Sequence, residues 1–475
     1  MHSRNKISTF VRTICFAAIA AGQLFISGCS LNFSAETLLA PPKLSDEQTE
    51  IYNALTASAG RVDLRYPRTG EYRSAFVMHN LDNELSDEAI VFYESKTVAA
   101  DGAAVTSAVS NLRINFLDRD SEGKWISVYE LPADGTEIES VSFSSLGGGK
   151  ERIFISYSGL SSGDKTLSVI DYTDGIATLL ARLTYSSLVV SEFTEEGKEQ
   201  LLCFTRDKAN STAAFRAFHC TEDGTFEQLY NTVQLSHEIS EYDSINTGKC
   251  MLMDKKSACV AIDYMKSDSL YGTDVVYFNG TEFVTADNFV RDHNNISYTR
   301  RTNSYTPVMC SQDIDNDGIM DVPVSTVMPG YENLTYPEQV NAFSWYSQKS
   351  TGIELCAYTF IDPNKNYVLL FPGRWIGMVT ATMNASENSV TFWKVEDGAN
   401  KSGVDGLSFP LLTIRTIQAG TTSTEEYRSN ALIDGYRLFH EDGEKLIFVK
   451  NIMYEGLSLT EDELAASLSV RPENK

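Results

Sequence analysis

The chain has 475 residues, of which 42% are hydrophobic and 11% aromatic. This length allows two or three ordinary domains or one large repeat array, and the composition excludes disordered and fibrous classes because it can bury a sizeable core. Acidic residues outnumber basic ones by 64 to 39, giving a net charge of -25. This excludes a general nucleic-acid binder, since phosphate contacts need clustered Lys and Arg.

Residues 1–28 have the three-part form of a secretory signal peptide. A basic start with Arg4, Lys6 and Arg12 is followed by an apolar run around 14–21 and then by small residues. The apolar run is too short to span a bilayer comfortably. The segment therefore predicts export.

The signal segment ends in Leu24-Phe25-Ile26-Ser27-Gly28-Cys29, which resembles the lipobox of bacterial lipoproteins. By that resemblance Cys29 is diacylated on its sulfur and becomes the new N-terminus after cleavage. The alternatives are an ordinary cleaved signal and a short buried helix with a chance cysteine. The lipoprotein interpretation places the protein on the outer face of the cell membrane, held there by lipid.

Residues 29–44 are predicted to be the lipid-anchored tether, with Pro41-Pro42 near its end. A flexible linker of this length reaches only about 20 Å, so the body would lie close to the membrane. A surface this acidic is repelled by anionic headgroups, so the acyl chains must hold it there.

Six cysteines remain after the tether, and they lie singly within apolar runs. We interpret them as buried free thiols, because a core of this size needs no disulfide bonds for stability, although an exported chain permits them. No C-x-x-C motif is present, so neither zinc nor a redox dithiol is indicated. They are Cys203, Cys220, Cys250, Cys259, Cys310 and Cys356.

Residues 45–60 are predicted to form an N-terminal helix. Ser45 is its cap, Gln48 stands three residues later, and apolar residues recur at helical spacing before Gly60.

Residues 61–362 are predicted to be a repeat array of β-hairpins, because short apolar and aromatic runs alternate with polar, glycine-containing turns. In one kind of hairpin, an acidic residue or Asn precedes Gly at the turn. Its four clearest copies turn at Gly123, Gly175, Gly224 and Gly280, which are 52, 49 and 56 residues apart. A weaker fifth copy ends at Gly352.

A second kind of hairpin precedes each of these, and in it a strand enters a polar turn and leaves as an apolar strand. Its copies lie at 76–93, 141–157, 189–204, 245–262 and 307–324. Two hairpins per period give four strands in roughly 50 to 70 residues, which is the content of one propeller blade.

We therefore expect an all-β fold, a β-propeller with about six to eight four-stranded blades, a short N-terminal helix and a divergent C-terminal β region. Closing the ring would protect the sheet edges from aggregation. The alternative is a row of β-sandwiches, which would need linkers of shifted composition between domains, and the sequence has none that is apparent.

Residues 363–458 are still rich in predicted strands but do not repeat the motif, so they are either two divergent final blades or a small appended β domain. Residues 459–475 are predicted to be a C-terminal helix and tail, with Thr460 and Glu463 as its capping box.

The segment from Asp313 to Asp321 carries the clearest chemistry. It places Asp313, Asp315, Asp317 and Asp321 at positions 1, 3, 5 and 9 of a tight loop, with Gly318 at position 6. Hard oxygen ligands on alternate residues and a glycine for the sharp turn are what Ca²⁺ coordination requires. A solvated acidic turn is the alternative. The loop is not an EF-hand, because a valine stands where the bidentate glutamate belongs.

This motif resembles the FG-GAP and VCBS repeats of extracellular β-propellers, whose loops carry D-x-D-x-D-G-x-x-D between two strands of a blade. The likeness covers roughly residues 65–360, but only the fifth unit matches the motif fully. The resemblance implies that Asp313, Asp315, Asp317 and Asp321 are side-chain ligands of a structural Ca²⁺ and that Ile319 is a carbonyl ligand.

The first unit keeps the spacing with Asn80, Asp82, Glu84 and Glu88, but Leu85 replaces the glycine. A second, weaker metal site there is an alternative to a plain turn. The corresponding units ending at Gly149 and Gly197 have lost most of the acids and are predicted to be plain turns.

No catalytic motif is found, so we expect a binding or scaffolding module rather than an enzyme. The run Gly159-Leu160-Ser161-Ser162-Gly163 matches G-x-S-x-G, but a nucleophile elbow needs a helix after the serine and a strand is predicted here. The partner would be a glycan or a protein, with no nucleic acid. The alternative is a propeller hydrolase acting on envelope or environmental glycans. The chain as a whole resembles VCBS-like lipoproteins of Gram-positive bacteria.

Overall fold

The structure, a computed structural model, describes residues 44–95, 111–158, 165–267, 270–286, 300–349, 352–395, 409–420 and 434–470, together with residues 407 and 428. The predicted signal peptide, Cys29 and almost all of the tether lie outside these residues, and so does the run 159–163. None of the described helices is long and apolar enough to cross a membrane.

Helix α1 (Asp46–Ala59) opens the described fold and confirms the prediction for residues 45–60. The Ser45 side chain accepts a hydrogen bond from the Gln48 N–H, and the Gln48 side chain accepts one from the Ser45 N–H. The buried face of α1, Ile51 and Leu55, packs on the first sheet. The local cap therefore places the helix, and apolar burial docks it.

Apart from one short helix near residue 461 and two 3-10 turns, the rest of the described chain forms six antiparallel sheets in sequence order. The first sheet contains β1 (Val62–Leu64), β2 (Phe76–His79), β3 (Glu88–Ser95), β4 (Leu112–Arg119) and β5 (Trp125–Pro132). The second contains β6 (Glu137–Ser144), β7 (Arg152–Ser158), β8 (Lys165–Thr173) and β9 (Ile176–Tyr185). The third contains β10 (Ser187–Glu192), β11 (Glu199–Asp207), β12 (Thr212–Cys220) and β13 (Phe226–Leu235).

The fourth and fifth sheets pair consecutive strands in the same way, whereas the sixth does not. The fourth contains β14 (Ile239–Leu252), β15 (Lys255–Lys266), β16 (Tyr271–Phe278) and β17 (Phe283–Thr285). The fifth contains β18 (Asp321–Val327), β19 (Asn341–Lys349), β20 (Gly352–Ile361), β21 (Tyr367–Leu370) and, at its edge, β27 (Leu468–Val470). The sixth contains β22 (Val379–Asn384), β23 (Ser389–Lys394), β24 (Pro410–Gln418), β25 (Arg437–Glu441) and β26 (Lys445–Asn451). In this sheet β26 lies between β24 and β25.

The predicted hairpins of the first four sheets are confirmed, because each predicted pair of strands is paired in the structure. The second hairpin of the fifth sheet is also present. The predicted hairpin at 307–324 is shorter than expected, since its first strand makes a single bridge, Gln312 with Asp321. A strand, β8, follows the G-x-S-x-G run, as predicted.

The second, third and fourth sheets have the four strands expected, and each of the other three has a fifth strand in addition. In the first sheet β1 and β2 both pair with β3. In the fifth, β27 pairs with β21, so the chain returns after helix α2 (Glu461–Ser467) to pair with an earlier sheet. The predicted capping box of α2, Thr460 with Glu463, is confirmed.

Consecutive sheets pack on each other. Strand β5 contacts β9, β9 contacts β11, β13 contacts β17 and β14 contacts β19. A shared apolar cluster built around Trp375, Phe392 and Phe360 joins the fifth sheet to the sixth. Residues 363–458 therefore contribute β21 to the fifth sheet and supply the sixth, which continues the array. No apolar cluster of the described residues joins the sixth sheet to the first, so ring closure stays a prediction.

All six cysteines of the described chain are free. Cys203, Cys220, Cys250 and Cys259 are buried, and Cys310 and Cys356 are half-buried. Burial raises the pKa of Cys310 and of Cys356 to about 12, so neither is a reactive thiolate near neutral pH.

Candidate metal centres and the adjoining groove

The loop before β18 adopts a tight turn around its carboxylates. Asn316 and Gly318 have φ values of 62° and 79°, the left-handed region that glycine and asparagine tolerate best. The N–H of Gly318 donates to Asp313 Oδ2 at 2.8 Å, and the N–H of Asp317 donates to Asp313 Oδ1 at 3.1 Å. The backbone thus fixes the direction of the first carboxylate.

Three of the predicted ligands meet in this turn. One carboxylate oxygen from each of Asp313, Asp315 and Asp317 lies within 4.8 Å of the other two, and all three residues are exposed. Ile319 follows in the same turn, where its N–H donates to Asp317 Oδ1 at 2.8 Å. These residues form an acidic cluster that could hold a metal ion.

Asp321, the fourth predicted side-chain ligand, faces the interior instead. It is fully buried, and its carboxylate accepts hydrogen bonds from the Ile314 N–H at 3.0 Å and from Ser347 Oγ at 2.5 Å. Burial raises the pKa of Asp321, and these hydrogen bonds oppose the rise. The structure therefore places Asp321 as a support beneath the loop, outside the group of three.

Two lysines already lie on this loop. Lys349 Nζ is 2.9 Å from Asp317 Oδ2, and Lys256 Nζ donates to the Asp317 carbonyl at 2.9 Å. Partial burial acts to raise the pKa of Asp317, but the Lys349 contact and the Ile319 N–H lower it overall. Part of the negative charge of this cluster is therefore balanced by the protein itself.

The loop between β2 and β3 shares two features with this loop. Asn83, at the position of Asn316, has a φ of 66°. The Leu81 N–H donates to Glu88 Oε2 at 2.6 Å, as the Ile314 N–H donates to Asp321. The spacing seen in the sequence therefore reflects a shared part of the turn, although Leu85 lacks the positive φ of Gly318.

The acids that meet here differ from the predicted set. Asp82, Glu88 and Asp118 each place a carboxylate oxygen within 4.8 Å of the others. The Asn80 side chain instead donates to the Glu84 carbonyl at 2.7 Å, so these two predicted ligands close the turn and do not belong to the carboxylate group.

Sequence reasoning missed Asp118 because it lies on β4, thirty positions after Glu88. The pairing of Ala89 with Leu117 places Asp118 beside Glu88 on the neighbouring strand. Only the register of β3 with β4 brings the two residues together, and the spacing of residues within one loop does not show that register.

Glu88 is 1% exposed. Its burial raises its pKa to about 7, the charges of Asp82 and Asp118 act in the same direction, and the Leu81 hydrogen bond acts against them. The environment of the Glu88 carboxylate therefore strongly disfavours its charged form.

The second and third sheets have other residues at the position of Glu88. In the third sheet Gln200 Oε1 accepts the Phe193 N–H at 3.0 Å, so a neutral amide makes the same bond. In the second sheet the buried Arg152 stands there, with its Nε 3.2 Å from Asp171 Oδ1. In both units, where plain turns are predicted, a polar residue therefore stands at the position of Glu88 and a carboxylate does not.

A groove of about 640 Å³ adjoins the Asp313 loop. Strand β14 and residues 308–313 form its walls, and the end of the loop completes it. Its polar lining includes Asn246, Thr247, Lys249, Ser311, Asp313 and Lys365. Asp313 is the one carboxylate among the described residues of this lining. The groove therefore offers amides, hydroxyls and two ammonium groups to a ligand.

No protein-family model matches the chain. No curated protein matches it either.

Solved structures resemble the chain only loosely. Rhamnogalacturonan lyase YesW matches with a TM-score of 0.30 and 11% identity over 74% of this chain and 65% of its own. Exotype rhamnogalacturonan lyase YesX matches with a TM-score of 0.25 and 10% identity over 66% of this chain and 62% of its own. A Bacteroides uniformis protein assigned as a 6-phosphogluconolactonase matches with a TM-score of 0.26 and 12% identity over 71% of this chain and 92% of its own.

The chain spans less than two thirds of the length of the two lyases. At these TM-scores the likenesses carry no argument about how the sheets are arranged or about activity. The expectation that the chain is not an enzyme, and the resemblance to FG-GAP and VCBS repeats, stay predictions.

Proposed function

We propose that this protein is an exported, lipid-anchored binding module whose calcium-stabilised β-propeller presents a polar groove to a glycan or protein ligand. The observation that carries the proposal is that Asp313, Gly318 and Ile319, which belong to the candidate calcium loop, also line the groove. An ion that orders this loop would therefore order one wall of the binding surface.

The propeller arrangement is supported by the order and packing of the sheets. Six antiparallel sheets follow one another along the chain, and each contacts the next. The first strands of the third and fourth sheets also approach each other, since Ser191 Oγ on β10 is 3.0 Å from Thr247 Oγ1 on β14. First strands that meet in this way are expected around the axis of a propeller.

Calcium fits the donor set of the Asp313 loop. The three clustered carboxylates are hard oxygen ligands on alternate residues, in the tight turn that Ca²⁺ loops use. Lys349 competes with an ion for Asp317, which lowers affinity. An extracellular calcium module works with a dissociation constant of about 10⁻⁴ to 10⁻³ M, so a weak site is adequate for a structural role.

Binding is favoured over hydrolysis by the lining of the groove. A glycosidase needs a pair of carboxyl groups across the scissile bond. The described lining supplies Asp313 alone, and its carboxylate is already directed at the backbone of its own loop. Lys249 and Lys365 are exposed at the groove and suit a ligand with hydroxyl or anionic groups.

The proposal is tested by screening the full chain against a panel of envelope glycans and peptidoglycan fragments, with and without calcium. We expect calcium-dependent binding that Lys249→Gln with Lys365→Gln weakens about tenfold. Lys124→Gln, on an exposed hairpin of the first sheet, is the control and should bind normally. Release of reducing ends would replace the binding proposal by the hydrolase.

A lipid anchor is tested separately by metabolic labelling with a fatty-acid analogue. Label should enter the native chain and be absent from Cys29→Ala. Equal labelling of both would reject the anchor without affecting the groove.

A further inference from the structure

The carboxylates of Asp82, Glu88 and Asp118 form the most confined acidic cluster in the described chain. Glu88 is 1% exposed, Asp82 and Asp118 are half-buried, and their oxygens lie within 4.8 Å of one another. Like charges this close repel strongly unless something cationic lies between them.

The neighbouring charges do not balance this cluster. The charged side chains that act most strongly on Glu88 are Asp82 and Asp118, both acidic. The Asp313 loop differs, because Lys349 pairs with Asp317 there, and the second sheet differs, because Arg152 pairs with Asp171. Among these equivalent positions, the first sheet is the one that collects carboxylates without a counter-charge in the described residues.

A second observation comes from the neighbouring sheet. Tyr172, on β8, is 1% exposed, and its hydroxyl has no hydrogen-bond partner among the described residues. The charged groups that act most strongly on this hydroxyl are Asp118, Glu88, Asp82 and Glu84, so it faces the cluster.

Packing holds the Tyr172 ring in this direction. The ring stacks on Phe116, with centroids 5.7 Å apart, inside the apolar cluster that joins the first two sheets. A buried tyrosine hydroxyl normally has a partner, and an ion held by the cluster, or a water bound to that ion, would supply one here. Lys150 lies nearby but contacts Asp171 and the backbone carbonyl of Tyr172.

We infer that Asp82, Glu88 and Asp118 bind a divalent cation between the first and second sheets, with the Tyr172 hydroxyl completing the polar wall of the site. Three carboxylates from one loop and a neighbouring strand suit Ca²⁺, which accepts irregular oxygen geometry, better than Mg²⁺. The ion links the two sheets. This inference does not rest on the proposed function, because the site lies away from the groove.

The test uses a background in which the other loop is silenced by Asp315→Asn and Asp317→Asn. In this background, calorimetry of the full chain should still show the binding of one Ca²⁺. Its dissociation constant should be lower than that for Mg²⁺. Glu88→Gln should weaken binding about 100-fold, because it removes the buried charge. Asp118→Asn should act in the same direction. Tyr172→Phe should weaken binding about tenfold, as expected for a group that supports the ligands.

Tb³⁺ supplies a readout that a purely structural role would not change. Tyrosine-sensitised Tb³⁺ luminescence should be present in the silenced background and fall in Tyr172→Phe. Glu88→Gln should still fold, since Gln200 makes the same backbone bond in the third sheet, and its cooperative thermal transition verifies this. The inference is overturned if the silenced chain binds no ion, or if both Glu88→Gln and Asp118→Asn bind normally.

The two calcium proposals fail separately. Loss of all binding in the silenced background would leave the Asp313 site intact and reject the inter-sheet site. If silencing left the binding stoichiometry unchanged, the Asp313 site would be rejected and the inter-sheet site would stand.

Discussion

Arg152 lies against Asp171, with its Nε 3.2 Å from Oδ1, at the position in the second sheet where the first sheet has Glu88 and Asp118. In both sheets an acidic residue, on β4 or β8, lies beside the residue that begins the neighbouring strand, β3 or β7. The second sheet therefore has its own cation where we infer that the first sheet binds one. The corresponding position holds a carboxylate in the first sheet, an arginine in the second and a glutamine in the third.

The first prediction concerns this built-in cation. Arg152→Met should lower the free energy of unfolding by about 3 kcal/mol, because Asp171 loses a buried partner and three backbone carbonyls lose a donor. Urea unfolding near neutral pH measures the loss. Lys124→Met, in an exposed pair with Glu122, is the control and should change stability by less than about 0.5 kcal/mol. Equal effects of the two substitutions would contradict the assignment.

The second prediction concerns pH. Glu88 has a pKa of about 7 in the folded chain against an ordinary value of 4.5. Between these values the folded state retains a proton that the unfolded state has lost, so stability falls as pH rises through this window. The expected loss in metal-free protein is roughly 3 kcal/mol.

Urea unfolding in chelator at about pH 5 and about pH 8 measures this loss. Glu88→Gln should remove that part of the pH dependence, whereas Glu122→Gln, which is exposed, should leave it unchanged. If the stability of Glu88→Gln fell with pH as steeply as that of the unsubstituted chain, another group would be responsible.

The third prediction concerns the Asp313 loop. Chelation should lower the thermal midpoint. Asp315→Asn with Asp317→Asn should lower it by less, because chelator also removes the ion inferred at Glu88, and should remove part of the response to chelator. Lys349→Met should tighten calcium binding about fivefold, because the ammonium group no longer competes at Asp317. Calorimetry of each variant checks this order. Weaker calcium binding in Lys349→Met would mean that the lysine supports the loop instead of competing with the ion.

The fourth prediction concerns the contact between the fifth and sixth sheets. Trp375 is fully buried there, and its Nε1 donates to the Leu457 carbonyl at 2.7 Å. Trp375→Phe should cost about 3 kcal/mol through lost volume and an unpaired carbonyl. Trp393→Phe, on β23 of the sixth sheet, also loses a hydrogen bond but is only half-buried, so its cost should be smaller. Chemical denaturation of both variants compares them, and a larger loss in Trp393→Phe would contradict this account.

The strands, the hairpin turns and the two helix caps were predictable because each depends on residues close in sequence. Alternating apolar residues select strands, and the Gly123 or Gly175 turn needs a positive φ that its own short segment supplies. The Ser45 and Thr460 capping boxes are equally local. The Asp313 cluster was predictable for the same reason, since its three meeting carboxylates lie within five residues.

Only the tertiary structure placed Asp118 beside Glu88 and directed Tyr172 toward both. Asp118 reaches the site through the register of β3 with β4, and Tyr172 reaches it through the packing of one sheet on another. Neither relationship leaves a spacing signal in the chain, because register and sheet packing are decided by the burial of many apolar residues at once. The local sequence thus determined the shape of each loop, and the packing between strands and sheets decided which charges meet.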